Sequence, residues 1–309
     1  MISNLFTHQY ALVKREVWEH RSLYVTPAVV GLVMVLVLLT GLVFATAYQE
    51  MIDLSIFGAQ NIVGDAERRA GMFALLLGNT APFLFAGMIL TIFYCLDSLY
   101  AERKNKSILF WRSLPITDAE TVISKLLTAA VAIPLIAFVV IVVTHLLILF
   151  LTGIFVSIQG GSSAFLVWKS APVLDVWLGM LIFTLVLPIW FSPFIGWFLF
   201  VSAWTKRSPL LMAFLPLVIV PTLEYWVFRT HLVASAMQSR FEQLPIFKGI
   251  DHTLFFEEEE FIAAADAVSL ISYIDIGKFL ASPAMWAGVI VCGLFLTAAI
   301  YVRRYRDES

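Results

Sequence analysis

Two ionisable side chains, His145 and Glu224, fall within apolar stretches long enough to cross a bilayer, so any intramembrane chemistry would start with them. A group held away from water in this way is by default a substrate, ion or gating candidate. Glu224 lies near the end of its stretch, within reach of water or headgroups. His145 lies deeper, where a hydrogen bond to a neighbouring helix is an alternative use. These two are the candidates for a pathway or gating role.

Other chemistries fail on spacing. A zinc protease needs H-E-x-x-H on one helix face. His252 is followed by Thr253 and Leu254, and no second His is near. Glu257-Glu258 opens like a Glu-Glu-x-x-x-Arg protease motif, but Ile262 stands where the Arg belongs. The run Glu257–Glu260 therefore reads as a solvated acidic face. A phosphate-cradling loop needs G-x-x-x-x-G-K-[ST]; Gly277-Lys278 lacks the upstream glycine and is followed by Phe279. Cys95 and Cys292 sit in apolar runs as buried small hydrophobes, with no disulfide or metal spacing. The chain has no catalytic set, no metal site and no nucleotide site of its own, which points away from an enzyme.

The richest polar pattern is Asp97–Leu127, a charged segment between two apolar runs. Residues 101–114 are good helix formers and predict a helix that Pro115 stops. Thr117-Asp118-Ala119-Glu120 is a capping box that starts a new helix. Arg103, Lys104 and Lys106 give the first of these helices a basic shoulder, and Ile108, Leu109, Phe110 and Trp111 an apolar tip. That combination suits docking into a groove on another protein; the alternative is that it lies in the membrane interface.

The elements that would carry these residues are all helical. The chain has 309 residues, is 61% hydrophobic and 14% charged, and has a mean hydropathy of +0.90. A soluble domain carries about 25% charged residues, so a polytopic all-α membrane protein is expected. One span needs roughly 20 apolar residues. Six runs qualify, at Val25–Ala47, Met72–Leu96, Leu126–Ile158, Val176–Val201, Leu210–Phe228 and Ala284–Ile300. The first is too long for a signal core and follows a 24-residue leader, so it reads as a retained span. With both termini inside, segments 1–24, 97–125, 202–209 and 302–309 hold 13 of the 20 Lys and Arg. Basic residues mark the cytoplasmic side, so the expected topology is N-in, C-in, with Arg303, Arg304 and Arg306 anchoring the last span.

Before the first span, Phe6, Tyr10, Val13 and Val17 recur at helical spacing, with Lys14, Arg15, Glu16 and Glu19 off that stripe. An amphipathic interface helix over 4–20 is expected. Pro82, Pro188, Pro193, Pro216 and Pro221 fall inside spans and predict kinks. The outer segment 229–283 is acidic and predicts short helices. No internal repeat or soluble second domain is visible, so the chain reads as a single transmembrane domain.

The order of Asp97 at the end of span two, Glu102-Arg103, Ser107, Leu114-Pro115-Ile116-Thr117 and Lys125-Leu126-Leu127 at the start of span three resembles ABC-2-type permeases. These are the membrane subunits of ABC exporters of the type V fold. The resemblance covers most of the chain, from the amphipathic helix to the helical insertion between spans five and six. Two departures are Asn105-Lys106-Ser107, where the family has a Gly-Thr/Ser step, and the long acidic 229–283 segment. The resemblance implies a cytoplasmic coupling helix with Glu102, Arg103, Lys104, Ser107, Phe110, Trp111, Leu114 and Pro115 contacting an ATPase. It implies two copies of a soluble ABC ATPase that bind ATP and Mg, a second permease copy or paralogue, and the bacterial cytoplasmic (inner) membrane. No nucleic acid is involved, and no cofactor is held by this chain. An aromatic, nearly uncharged lining favours an amphipathic or peptide-like substrate. The competing readings are a self-sufficient secondary transporter or channel, which would show ionisable residues near the midplane, and a membrane immunity or accessory protein.

Overall fold

The computed structural model describes residues 2–106, 116–246 and 269–305, with side chains from residue 7 onward. Among the described residues the architecture is helical. Six helices are long and apolar enough to cross a membrane: Ser22–Asn61, Asp65–Lys104, Asp118–Ile158, Ala164–Trp190, Pro209–Phe228 and Pro283–Tyr305. The chain is a multi-pass membrane protein.

In chain order the helices are α1 (Ile2–Glu19), α2 (Ser22–Ala45), α3 (Gln49–Asn61), α4 (Asp65–Lys104), α5 (Asp118–Leu127) and α6 (Ile133–Ile158). They continue as α7 (Val173–Trp190), α8 (Ser192–Trp204), α9 (Pro209–Phe228), α10 (Leu232–Glu242), α11 (Leu270–Tyr273), α12 (Ile276–Leu280) and α13 (Pro283–Tyr305). A 3₁₀ turn at Thr46–Tyr48 joins α2 to α3, and a π turn at Thr128–Ala132 joins α5 to α6. Pro134 follows that π turn; its missing N–H interrupts the ordinary ladder at this point.

The helices outrun the apolar runs that predicted them. α4 has 40 residues, or about 60 Å at 1.5 Å per residue, twice the ~30 Å hydrocarbon thickness. Hydropathy marks only the part that must sit in lipid; backbone hydrogen bonding carries each helix on into its charged ends.

The fourth run is not one helix. Val176–Val201 divides at Phe191, with α7 before it and the short apolar α8 after it. Pro188 and Pro193 flank the break, where Phe191 leaves helical geometry with φ −87° and ψ 11°. Pro82, Pro216 and Pro221 lie inside uninterrupted helices. The region 229–283 contains α10, α11 and α12, as its patterning predicted, while Glu257–Glu260 and His252 lie outside the described residues.

Lipid-facing sides are apolar and exposed. On α2 only Leu23, Pro27 and Gly31 are buried, while Leu32, Val37 and Val43 point outward. The core is packed mainly by α2, α4, α6, α8 and α13. Leu23, Cys95, Ala129, Ile133 and Leu199 form its centre. Helices in lipid approach through small residues, and α8 meets α13 in that way. A Cβ on Gly196 would lie 2.9 Å from Cys292 Cα and 3.1 Å from its carbonyl oxygen.

That backbone contact cannot relax by rotating a side chain. Gly196→Ala should therefore destabilise the protein by about 1–3 kcal/mol, the usual range for overpacking. Gly293→Ala, where an added Cβ meets nothing within 4 Å, should leave stability unchanged or slightly raised. Thermal unfolding of both variants in one detergent checks the contrast.

Candidate functional site

A set of buried and half-buried charged groups converges at one end of the bundle, at the base of the loop between α4 and α5. α1 brings Glu16, α4 brings Glu102, α5 brings Lys125 and Asp118, and α13 brings Arg303. Lys125 Nζ lies 3.1 Å from both carboxylate oxygens of Glu16 and 2.8 Å from Glu102 Oε1. Arg303 Nη1 donates to Glu102 Oε2 at 2.6 Å, and its Nε donates to Asp118 Oδ1 at 2.8 Å. Arg15 Nη2 lies 2.7 Å from Glu16 Oε1 and 3.6 Å from Glu102 Oε1. Tyr94 donates its hydroxyl to Glu16 Oε2 at 2.9 Å, and the His20 ring stands edge-on to Tyr94.

Three cations and three carboxylates make this cluster formally neutral. The Glu16 and Lys125 side chains are each 1% exposed and Arg303 is 3% exposed. Isolated charges at that depth would be prohibitive; mutual pairing makes them tolerable.

Local sequence explains how each element delivers its residue. Thr117 Oγ1 accepts from the Glu120 amide at 3.1 Å, and Glu120 Oε2 accepts from the Thr117 amide at 2.8 Å. This is the predicted capping box, and it fixes the start of α5 so that Asp118 and Lys125 project inward. On α4, Glu102 is one turn beyond Ser98 and Leu99 and shares their buried face. α1 buries Gln9, Leu12 and Glu16, spaced three and four apart. Of the expected stripe of Phe6, Tyr10, Val13 and Val17, Tyr10 is exposed and Val13 and Val17 are half-buried, Val17 against the bundle core, while the Phe6 side chain lies outside the described residues. The bundle-facing side of α1 carries a charged residue because Glu16 finds Lys125.

Arg103 has a different task. Its Nη2 donates to the carbonyls of Ser202 and Thr205, the latter at 2.8 Å, and so caps the end of α8. Ser202 in turn donates to Leu96 O at 2.8 Å and accepts from the amides of Leu99 and Tyr100. Lys104, Asn105 and Lys106 are exposed. α4 ends at Lys104, and Lys106 closes the turn with a left-handed φ of 56°. Residues 101–104 are therefore the last turn of α4, not the opening of a separate helix. Ser107, Phe110, Trp111, Leu114 and Pro115 lie outside the described residues.

The two intramembrane candidates each have a hydrogen-bond partner. His145 is fully buried, and its Nδ1 accepts from Trp177 Nε1 at 3.3 Å, joining α6 to α7. Glu224 accepts from the amides of Leu232 and Val233 at 2.6 and 2.8 Å and from Thr230 Oγ1 at 2.8 Å. It caps the N-terminus of α10, where a carboxylate meets the positive end of the helix. Cys95 and Cys292 are both buried thiols. Among the described residues no group of His, Cys, Asp and Glu could hold a metal ion.

Sequence patterning missed Glu16, Asp118, Lys125 and Arg303 as a unit. The available signal was a basic residue at the start of span three, read as part of the Lys125-Leu126-Leu127 motif, and another at the end of span six, read as a topology anchor. Lys125→Met would leave two buried carboxylates facing each other, a loss of about 3–5 kcal/mol by the rule for broken buried pairs. The double variant Glu16→Gln, Lys125→Met should recover much of that loss. A double-mutant cycle from unfolding midpoints in detergent checks the coupling.

Comparison with protein families, with curated proteins and with solved structures finds no match for this chain.

Proposed function

We propose that this chain is the permease subunit of an ATP-binding-cassette exporter, powered by a separate soluble ATPase that binds ATP and Mg. The observation that carries the reading is the buried ionic cluster at the base of the α4–α5 loop. Glu102 precedes the loop, and Asp118 and Lys125 follow it; all three bond into one group with Glu16 and Arg303. A push on the loop is therefore delivered to α1, α4, α5 and α13 together, and through Arg103 to α8. A membrane subunit that borrows its motor needs such a rigid point of attachment.

Other features support it. The sequence has no phosphate-binding loop, so a motor must come from outside. The loop presents Lys104, Asn105 and Lys106 to solvent; the resemblance adds Ser107, Phe110, Trp111, Leu114 and Pro115, which lie outside the described residues, as contacts to the ATPase. Basic residues favour the cytoplasm for this end, which gives N-in, C-in topology in a bacterial inner membrane. α1 exposes Tyr10 and Trp18, aromatic residues suited to the headgroup layer of the inner leaflet. Two permeases, identical or paralogous, and two ATPases would form the working unit. The substrate is an amphipathic or peptide-like molecule, on the strength of the aromatic, sparsely charged spans. The self-sufficient transporter loses ground because His145 and Glu224 are engaged by Trp177 and by the end of α10.

Mild-detergent purification from the native host should bring down an ATP-hydrolysing subunit with this chain. A lone chain that drives ion-gradient-dependent flux in liposomes would overturn the assignment. The residue-level test follows from burial. Lys104→Glu with Lys106→Glu should weaken ATPase association or uncouple hydrolysis from transport while leaving the unfolding temperature intact, and Trp111→Ala, chosen on the resemblance, should weaken the same association. Glu102→Lys should instead lower the yield of folded protein, because its carboxylate faces Lys125 and Arg303 rather than solvent.

A further inference from the structure

At the other end of α4, away from the ionic cluster, α3, the start of α4, the end of α6 and a π turn at Ala164–Trp168 enclose an open groove of about 790 Å³. Its walls are apolar, with Met51 and Ile56 from α3, Met72 from α4, Phe155 from α6 and Val167 from the π turn. α3 is held across it by a Gln49–Gln159 hydrogen bond of 2.9 Å. The contact of Ile56 with Gly161 is so close that a Cβ on Gly161 would lie 2.9 Å from Ile56 Cγ2.

Three observations bear on what the groove holds. First, Gly71 lines it from α4, and a Cβ added there would meet nothing within 4 Å. Glycine within a helix is about 1 kcal/mol worse than alanine, and no neighbour within 4 Å requires it here; a large side chain at this position would enter the groove. Second, two lining side chains carry buried polar atoms without hydrogen-bond partners, Arg68 Nε and Thr152 Oγ1. The Arg68 side chain is 9% exposed. Its Nη1 donates to the carbonyls of Ala59 and Val63, and its Nη2 to Asp65.

Third, the mouth gathers cations. Arg68 lies 4.4 Å and Lys169 5.0 Å from the centre of the Phe165 ring, and both approach the single carboxylate of Asp65, Lys169 at 3.8 Å. Glu67, the other acid nearby in sequence, is turned back to accept from the Gly64 amide. Two cations therefore share one carboxylate at the edge of an apolar trough. The trough runs beside α3, whose 13 residues span about 20 Å, comparable with an acyl chain. The protein spans a membrane, so a molecule with an apolar tail and an anionic head is always at hand.

We propose that this groove holds an acyl chain of an anionic membrane phospholipid, with the headgroup at Arg68 and Lys169 beside Phe165. The site is independent of the transport reading, since it needs only that the chain is embedded in a bilayer. The test uses the full chain in phosphatidylcholine vesicles carrying a trace of phosphatidylglycerol with a photoreactive group on its acyl chain. After photolysis, adducts are mapped by mass spectrometry.

Adducts should concentrate on α3 and around Met72 and Phe155. A phosphatidylcholine probe of the same chain should label these peptides about fivefold less, the discrimination expected for one basic residue near an anionic headgroup. Gly71→Leu fills open space, so it should remove the groove adducts while keeping the unfolding temperature and the labelling elsewhere. Arg68→Gln should erase the headgroup preference. Since Arg68 also braces the end of α3, Asp65→Asn serves as the second variant and should strengthen the preference. Equal labelling by the two probes, or wild-type labelling of the groove in Gly71→Leu, would mean an ordinary lipid shell and would overturn the proposal.

Discussion

Lys125 places an ammonium group where water does not reach, and the helix bundle is arranged to satisfy it. Glu16 and Glu102 take its charge, Arg303 neutralises the rest of Glu102, and Asp118 completes Arg303. Each of these groups would be intolerable alone at that depth. Four helices must therefore meet at one point with one relative rotation, a stricter demand than apolar packing makes. Hydrophobic contacts elsewhere tolerate small slides; a set of charge-assisted hydrogen bonds at 2.6–3.1 Å does not.

This constraint also divides the labour along the loop. Residues that look alike in a charged segment, Glu102, Arg103 and Lys104, take three different roles. The first is locked into the cluster, the second caps α8, and the third faces solvent. The inward pair sets the position of the loop, and the outward pair Lys104 and Lys106 is what another molecule would meet. The same logic recurs at the opposite ends of the spans, where Glu224 and Asp175 secure short helices by accepting from their first amides.

Much of this was legible in the sequence, and the limits have physical causes. Span locations followed from apolar runs, because lipid imposes a uniform requirement on side chains. The α5 capping box was legible because both of its bonds lie within four residues. The break at Phe191 was not placed, since the five-residue spacing of Pro188 and Pro193 recurs as Pro216 and Pro221 in α9, which stays unbroken. The ionic cluster was hidden by distance along the chain. Glu16 meets Lys125 across 109 residues, and Glu102 meets Arg303 across 201. No local pattern encodes such a meeting. For His145, the sequence offered both a functional and a packing use, and its hydrogen bond with Trp177 on the facing helix could not be read from either apolar run alone.

The separation of those partners has a consequence for biosynthesis. Arg15, Glu16, Glu102, Asp118 and Lys125 are all made before the last four spans are complete, and together they carry one uncompensated negative charge. Arg303 supplies the missing cation from the sixth long helix. A nascent chain truncated before that helix therefore exposes an unbalanced acidic site at the base of its first three spans. The buried cluster thus gains its last cation, and the helices that carry it their common anchor, only when the sixth long helix has been added.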